Sequence, residues 1–149
     1  MIIIGVDTGL YTGMAFWNTK LSEKPTAVEV PYIETGTRLN LWLASTLALE
    51  PNTKIHVACE RYVMTSGVKS AQPEALMGMG AVEYICHAYG VPLRWQFPRD
   101  AKKRAPDSLL RQLGWYQRTK DGHANDAQRH ILEWMACSYP EEFAHLIGI

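Results

Sequence analysis

The run Ile2-Ile3-Ile4-Gly5-Val6, closed by Asp7, constrains the fold more than any other stretch of this sequence. Four β-branched residues with no polar position among them suit a strand covered on both faces, which an open antiparallel sheet does not provide. Such a strand calls for a layered α/β arrangement. It also ends on a carboxylate, which is expensive to desolvate unless something cationic compensates it.

The rest of the chain supplies the layers. TGMAFWNT follows a glycine-bearing turn and pairs with the first strand as a hairpin. AVEVPYIE alternates as a third strand, with Pro31 suggesting an edge position. TRLNLWLASTLALE spaces Leu39, Trp42, Leu43, Thr46 and Leu49 by three and four residues and predicts a helix ended near Pro51. KIHVACE is a buried strand. QPEALMGMGAVEYICHAYG is a helix opened by Pro73 and stopped at Gly90, and PLRWQF is a last short strand. A basic segment and PDSLLRQLG lead to HANDAQRHILEWMACSY, the closing helix. The order β-β-β-α-β-α-β-α predicts a mixed sheet, a three-strand meander plus parallel strands, with helices on both faces.

Composition narrows the class. At 149 residues, residues 1–149 are expected to form a single domain, and 47% hydrophobic with 20% charged residues is an ordinary globular balance. No apolar run approaches the roughly 20 residues of a spanning helix. The opening MIIIGVDTG lacks a basic leader, so the expectation is a soluble, cytoplasmic protein without membrane contact. Cys59, Cys86 and Cys137 are isolated and odd in number, which argues against a disulfide framework or a zinc knuckle. Net charge is zero, yet eight basic residues between Arg94 and Lys120 face only Asp100 and Asp107, a local charge of +6. An electropositive region of that kind suits a phosphate backbone, and a merely solvated basic surface is the alternative.

Chemistry concentrates where acids close apolar runs. Glu60 ends KIHVACE as Asp7 ends the first strand. If strands one and four are parallel neighbours, the two carboxylates face each other and their repulsion demands a cation. In GHANDAQRH, His123 and Asp126 lie roughly 60° apart on the last helix, on the rim of an apolar face formed by Ala127, Ile131, Trp134 and Met135. Three carboxylates and one histidine suit a hard, oxygen-liganded ion, so Mg²⁺ or Mn²⁺ is expected rather than zinc. Each residue has a bland alternative. Asp7 can cap the turn at Thr8, Glu60 can pair with Arg61, Asp126 can cap its helix, and His123 can be a surface residue. His130 reads as a core-edge residue rather than a ligand. Gly78 and Gly80, inside a helix, suggest close backbone approach to either a second subunit or the chain's own sheet.

Together IIIGVDTGLYTGMAFW, VACERYVM and GHANDAQRHILEWMA resemble the RuvC-like Holliday junction resolvases of the RNase H-like superfamily, especially the short versions carried by bacteriophages. The resemblance implies a homodimeric, divalent-metal-dependent endonuclease that nicks opposed strands of a four-way DNA junction in the host cytoplasm. It makes Asp7, Glu60 and Asp126 catalytic carboxylates. His123 falls where bacterial members usually carry an aspartate, a departure that leaves ligation, water orientation and proton handling open for it; Asp121 is a weaker substitute, out of register. The implied chemistry uses two ions about 3.5–4 Å apart, one activating a water and one at the leaving 3′ oxygen. Arg61, Tyr62, Met64 and Lys69 form the expected junction-contacting loop, and Arg99, Lys102, Lys103 and Arg104 the backbone grip between the last strand and the next helix. Runner-up readings are a nuclease of the same superfamily acting on flaps, forks or hybrids, an actin-like nucleotide-binding module, and a non-catalytic junction-binding protein.

Overall fold

A computed structural model of the chain describes residues 1–63 and 72–149; Met64 and Lys69 lie outside the described residues. Five strands form one sheet in the order β3-β2-β1-β4-β5. They are β1 (Ile2–Asp7), β2 (Tyr11–Asn18), β3 (Thr26–Pro31), β4 (Ile55–Glu60) and β5 (Leu93–Gln96). β1 pairs antiparallel with β2 and β2 with β3, while β4 and β5 add in parallel. The meander-plus-parallel sheet predicted from the sequence is the one observed, with β1 at its centre. Pro31 closes β3, which is an edge strand.

Side-chain alternation on β1 sorts the core into two layers. Ile2, Ile4 and Val6 face α1 (Thr35–Leu49) and α2 (Pro73–Tyr89), packing with Leu39, Leu43, Val82 and Cys86. Ile3 faces the other way, with Ala15, Trp17 and Ala58, against Ile131, Leu132, Trp134 and Met135 of α5 (His123–Ser138). Ile3, Ile4 and Val6 are completely buried. Burying a side chain of that size contributes about 1.5–3 kcal/mol, so this one strand anchors both layers.

α5 is the element that positions the site. Eleven of its sixteen residues are buried, so it runs as an interior helix rather than an amphipathic surface one. It reaches that depth because the strands beneath it carry glycines. A Cβ at Gly5 would collide with the Ala127 carbonyl, and one at Gly13 with the His123 carbonyl. Gly78 on α2 plays a smaller version of the same part. A Cβ there would meet the Thr8 side chain at 3.2 Å, so its approach is to its own chain, while a Cβ at Gly80 meets nothing within 4 Å among the described residues.

Three helices were not legible in advance. The basic segment after β5 is itself helical, α3 (Pro98–Arg104), followed by α4 (Asp107–Gln112), so Arg99, Lys102, Lys103 and Arg104 sit on a helix rather than in a connecting loop. A further turn at Tyr139 leads to α6 (Pro140–Ile147). Among the described residues no helix is long and apolar enough to cross a membrane.

Candidate metal centre

Strand register assembles one row of residues on the face that α5 covers. Glu29 on β3 pairs with Gly13 on β2, and Gly13 with Asp7 on β1. On the other side, β1 and β4 run parallel with Val6 opposite Cys59, so Asp7 and Glu60 follow as neighbours at the strand ends. Glu60 pairs in turn with Gln96 on β5. The row Glu29-Gly13-Asp7-Glu60-Gln96 therefore crosses all five strands, and the side-chain gap at Gly13 admits the backbone of α5 at His123.

α5 lowers three groups onto this row. His123 Nδ1 lies 2.7 Å from Asp7 Oδ2. His130 Nε2 lies 3.5 Å from Glu60 Oε2, and its Nδ1 is 2.8 Å from Gln96 Oε1. The backbone N–H of Ala124 donates to Glu29 Oε1 at 3.1 Å, which ties the first turn of α5 to the sheet edge. Neither His123 nor Asp126 caps the helix; Gly122 precedes it, with no side-chain cap.

Asp126 is held differently. One oxygen pairs with the Arg129 guanidinium and the other with Lys102 Nζ at 3.2 Å. Arg129 is fixed by Asp107 and by the Ala105 carbonyl, which accepts from its Nε at 3.0 Å. Among the described residues, the group whose ligand atoms converge, all within 4.8 Å of one another, is Asp7, Glu60 and His130. Ligand atoms sharing one octahedral divalent ion at about 2.1 Å stand roughly 3–4 Å apart, so these donors are spaced for a common cation after a small contraction. Hard carboxylate oxygens with one imidazole suit Mg²⁺ or Mn²⁺.

Electrostatics point the same way. Burial pushes the Asp7 carboxyl from 3.8 to about 7; the hydrogen bond with His123 opposes the shift, and the charges of Glu60 and Asp126 add to it. Burial also disfavours a charged Glu60, but hydrogen bonds with His130 and Asp7 and the charge of Lys102 outweigh it and hold its carboxyl below the usual range. The hydrogen bond to Asp7 raises the His123 pKa against its own partial burial. Glu60 thus keeps its charge, and Asp7, buried beside it, is the acid whose ionisation is opposed, the condition that a divalent ion relieves.

His130 is the site residue that sequence reasoning passed over. It stands two helical turns from His123 and one from Asp126, so the periodicity carried the signal, but its apolar neighbours Ile131 and Leu132 pointed to the core. Gln96 and Glu29 had no comparable signal, since only strand register brings them to the site. Asp121 is exposed.

Arg61 and Arg99 are exposed and line, with Glu60, Tyr62 and Phe97, a cleft of about 640 Å³ beside the acidic pair. Lys102 and Arg104 are not simply outward-facing cations, because they reach Asp126 and, at 3.2 Å, Glu133 on α5. Lys103 is exposed on the same helix.

No family model and no curated protein sequence matches this chain. Solved structures do. RuvC of T. thermophilus in complex with Holliday junction substrate has a TM-score of 0.63 at 18% identity, with 99% of this chain and 97% of that chain covered. A second Thermus thermophilus RuvC structure gives 0.59 at 18% identity over the same shares. From end to end, this chain is built on the RNase H-like α/β fold of RuvC.

Proposed function

We propose that this chain is a divalent-metal-dependent endonuclease that resolves four-way DNA junctions by paired nicks. The observation that carries the reading is the convergence of Asp7, raised by burial, with Glu60 at adjacent ends of parallel strands, in a fold whose solved neighbour was caught with a Holliday junction.

In this reading Asp7, Glu60, His123 and Asp126 form the catalytic and metal-binding set. Asp7 would hold a Mg²⁺ or Mn²⁺ ion, which would supply an activated water and charge neutralisation at the scissile phosphate, and Asp7 is oriented by His123 through the 2.7 Å hydrogen bond. That bond leaves the other nitrogen of a partly exposed ring to move a proton. Asp126 joins once Lys102 releases it, and Lys102, with more than half of its side chain exposed, is then free to grip phosphate. Arg61, Tyr62, Arg99, Lys103 and Arg104 extend that grip, with Met64 and Lys69 on the adjoining segment outside the described residues. Two opposed nicks require two active sites, hence a homodimer.

The test compares a mobile four-way junction, a flap and an RNA–DNA hybrid in Mg²⁺ and Mn²⁺, with wild type and Asp7→Asn. Symmetrical nicks on the junction, lost in the variant while junction binding persists, are the expected result. Cleavage of flap or hybrid alone would move the activity to another branched or hybrid substrate, and no cleavage of any substrate would end the nuclease reading.

A further inference from the structure

We infer that His130 is a direct ligand of the cation on the Glu60 flank and that Gln96 selects the tautomer that lets it bind. This rests on the metal-dependent reading above and adds to it a nitrogen donor and its orienting partner.

His130 is 1% exposed, and nothing in the proposed reaction uses it. An amide oxygen only accepts hydrogen bonds, so the 2.8 Å contact with Gln96 Oε1 places a proton on Nδ1. A neutral ring protonated there carries its lone pair at Nε2. That nitrogen faces Glu60 Oε2 at 3.5 Å, longer than an ordinary N–H···O hydrogen bond and within the spacing of two donors on one ion. A cation seated between them takes the place of the proton that otherwise bridges His130 Nε2 and Glu60. Asp7 offers a third donor within the same 4.8 Å.

Gln96 is 5% exposed, so its side chain is held in place beside the imidazole, and its amide Nε2 is buried without a hydrogen-bond partner. That donor calls for an acceptor such as water rather than for a cation; what Gln96 brings to the metal is the fixed Oε1 acceptor that orients the ring. His123 is not equivalent: its Nδ1 is occupied by Asp7, and its side chain is 30% exposed. A metal-bound imidazole whose other nitrogen donates to a fixed acceptor is the usual arrangement for orienting such a ligand, and losing the acceptor weakens binding about 10–100-fold.

The test loads metal-free full-length protein with Mn²⁺ and reads nitrogen coupling by pulsed electron paramagnetic resonance, with unlabelled and ¹⁵N-histidine protein. We expect directly bound imidazole nitrogen in the wild type, a coupling that survives in His123→Gln and that in His130→Gln is lost or cut back to whatever His123 contributes. Gln96→Leu should keep the stoichiometry and lose about 10–100-fold in Mn²⁺ affinity by calorimetry. Because His130 is buried, His130→Gln is first checked by circular dichroism; the labelled wild type and His123→Gln answer the question without it. Bound Mn²⁺ with no nitrogen coupling, or coupling that vanishes in His123→Gln, overturns the inference and leaves the nuclease reading standing. A nitrogen signal in a protein that cuts no branched DNA does the reverse.

Discussion

The two flanks of the acidic site are balanced in opposite ways. Asp126 comes with its cations built in: Arg129, locked by Asp107 and the Ala105 carbonyl, and Lys102 from α3. Glu60 has His130 and the nearby charge of Lys102, while Asp7 has only the His123 imidazole and is driven up to about pKa 7 by burial. In the proposed reading, Asp7 and Glu60 are the carboxylates that wait for an added ion, and Asp126 is the one that must exchange partners to join them. Burial and the supply of positive charge separate the cases together: Asp7 is the more buried and has no built-in cation.

Neutralising each acid should therefore change stability with opposite sign. In the metal-free protein at pH 8, Asp7→Asn removes a charge whose burial the fold opposes, and we expect stabilisation of up to about 4 kcal/mol from a shift of that size. Asp126→Asn leaves Arg129 and Lys102 undercompensated and should destabilise by about 1–3 kcal/mol. Denaturant titration of both variants checks the pair, and equal signs would erase the distinction drawn between the flanks.

A second measurement breaks the scaffold under one flank at a time. Gly13→Ala pushes against the backbone at His123 and Gly5→Ala against Ala127. Each should cost about 1–3 kcal/mol or more, because backbone rather than a flexible side chain must move. Gly13→Ala should also weaken the His123–Asp7 hydrogen bond, read as a lowered His123 pKa by NMR titration.

pH gives a third test. The folded pKa of Asp7 lies above its ordinary 3.8, so the folded state holds the extra proton and stability falls as pH rises from about 4 to about 7. His123, also raised, contributes stability at low pH that is lost as pH climbs through its folded value, in the same direction. Glu60, lowered, acts the other way and only in the acid range, losing its contribution as pH falls below about 4.5. Metal-free protein should therefore melt highest near pH 5 and lower at pH 8, and the rise in Tm on adding Mn²⁺ should grow over that interval, since the ion competes with the proton on Asp7. A Tm that climbs from pH 5 to pH 8 without metal would contradict the assignment.

The smallest effect belongs to Lys102→Ala. The pair is largely solvent-exposed on the lysine side, so stability should change by less than about 1 kcal/mol. Affinity for Mn²⁺ should rise modestly as Asp126 loses one competitor, which calorimetry can read.

Much of this architecture was visible in the residue pattern. Four β-branched residues before Asp7 marked a doubly covered strand, KIHVAC marked its neighbour, and both runs ended on an acid, so the pairing of Asp7 with Glu60 followed once the strands were set parallel. His123 and Asp126 were placed at the start of a core-anchored helix by their spacing. α3 was hidden because seven mostly charged residues carry no apolar period, and α6 because its eight residues continue α5 after a single break at Tyr139.

Patterns with period 2 and 3.6 are local: each residue reports whether it faces core or solvent, and a terminal acid reports that an apolar run has ended. They say nothing about which distant residue arrives opposite. The register that aligned Gln96 with Glu60, the tie from Glu29 to the first turn of α5, and the seating of α5 on Gly5 and Gly13 all depend on contacts between segments far apart in the chain. The charge balance of the two flanks belongs to that second category. Whether an acid meets a guanidinium or another acid is set by which side chains fill the last few ångströms around it, and that is a property of the assembled chain.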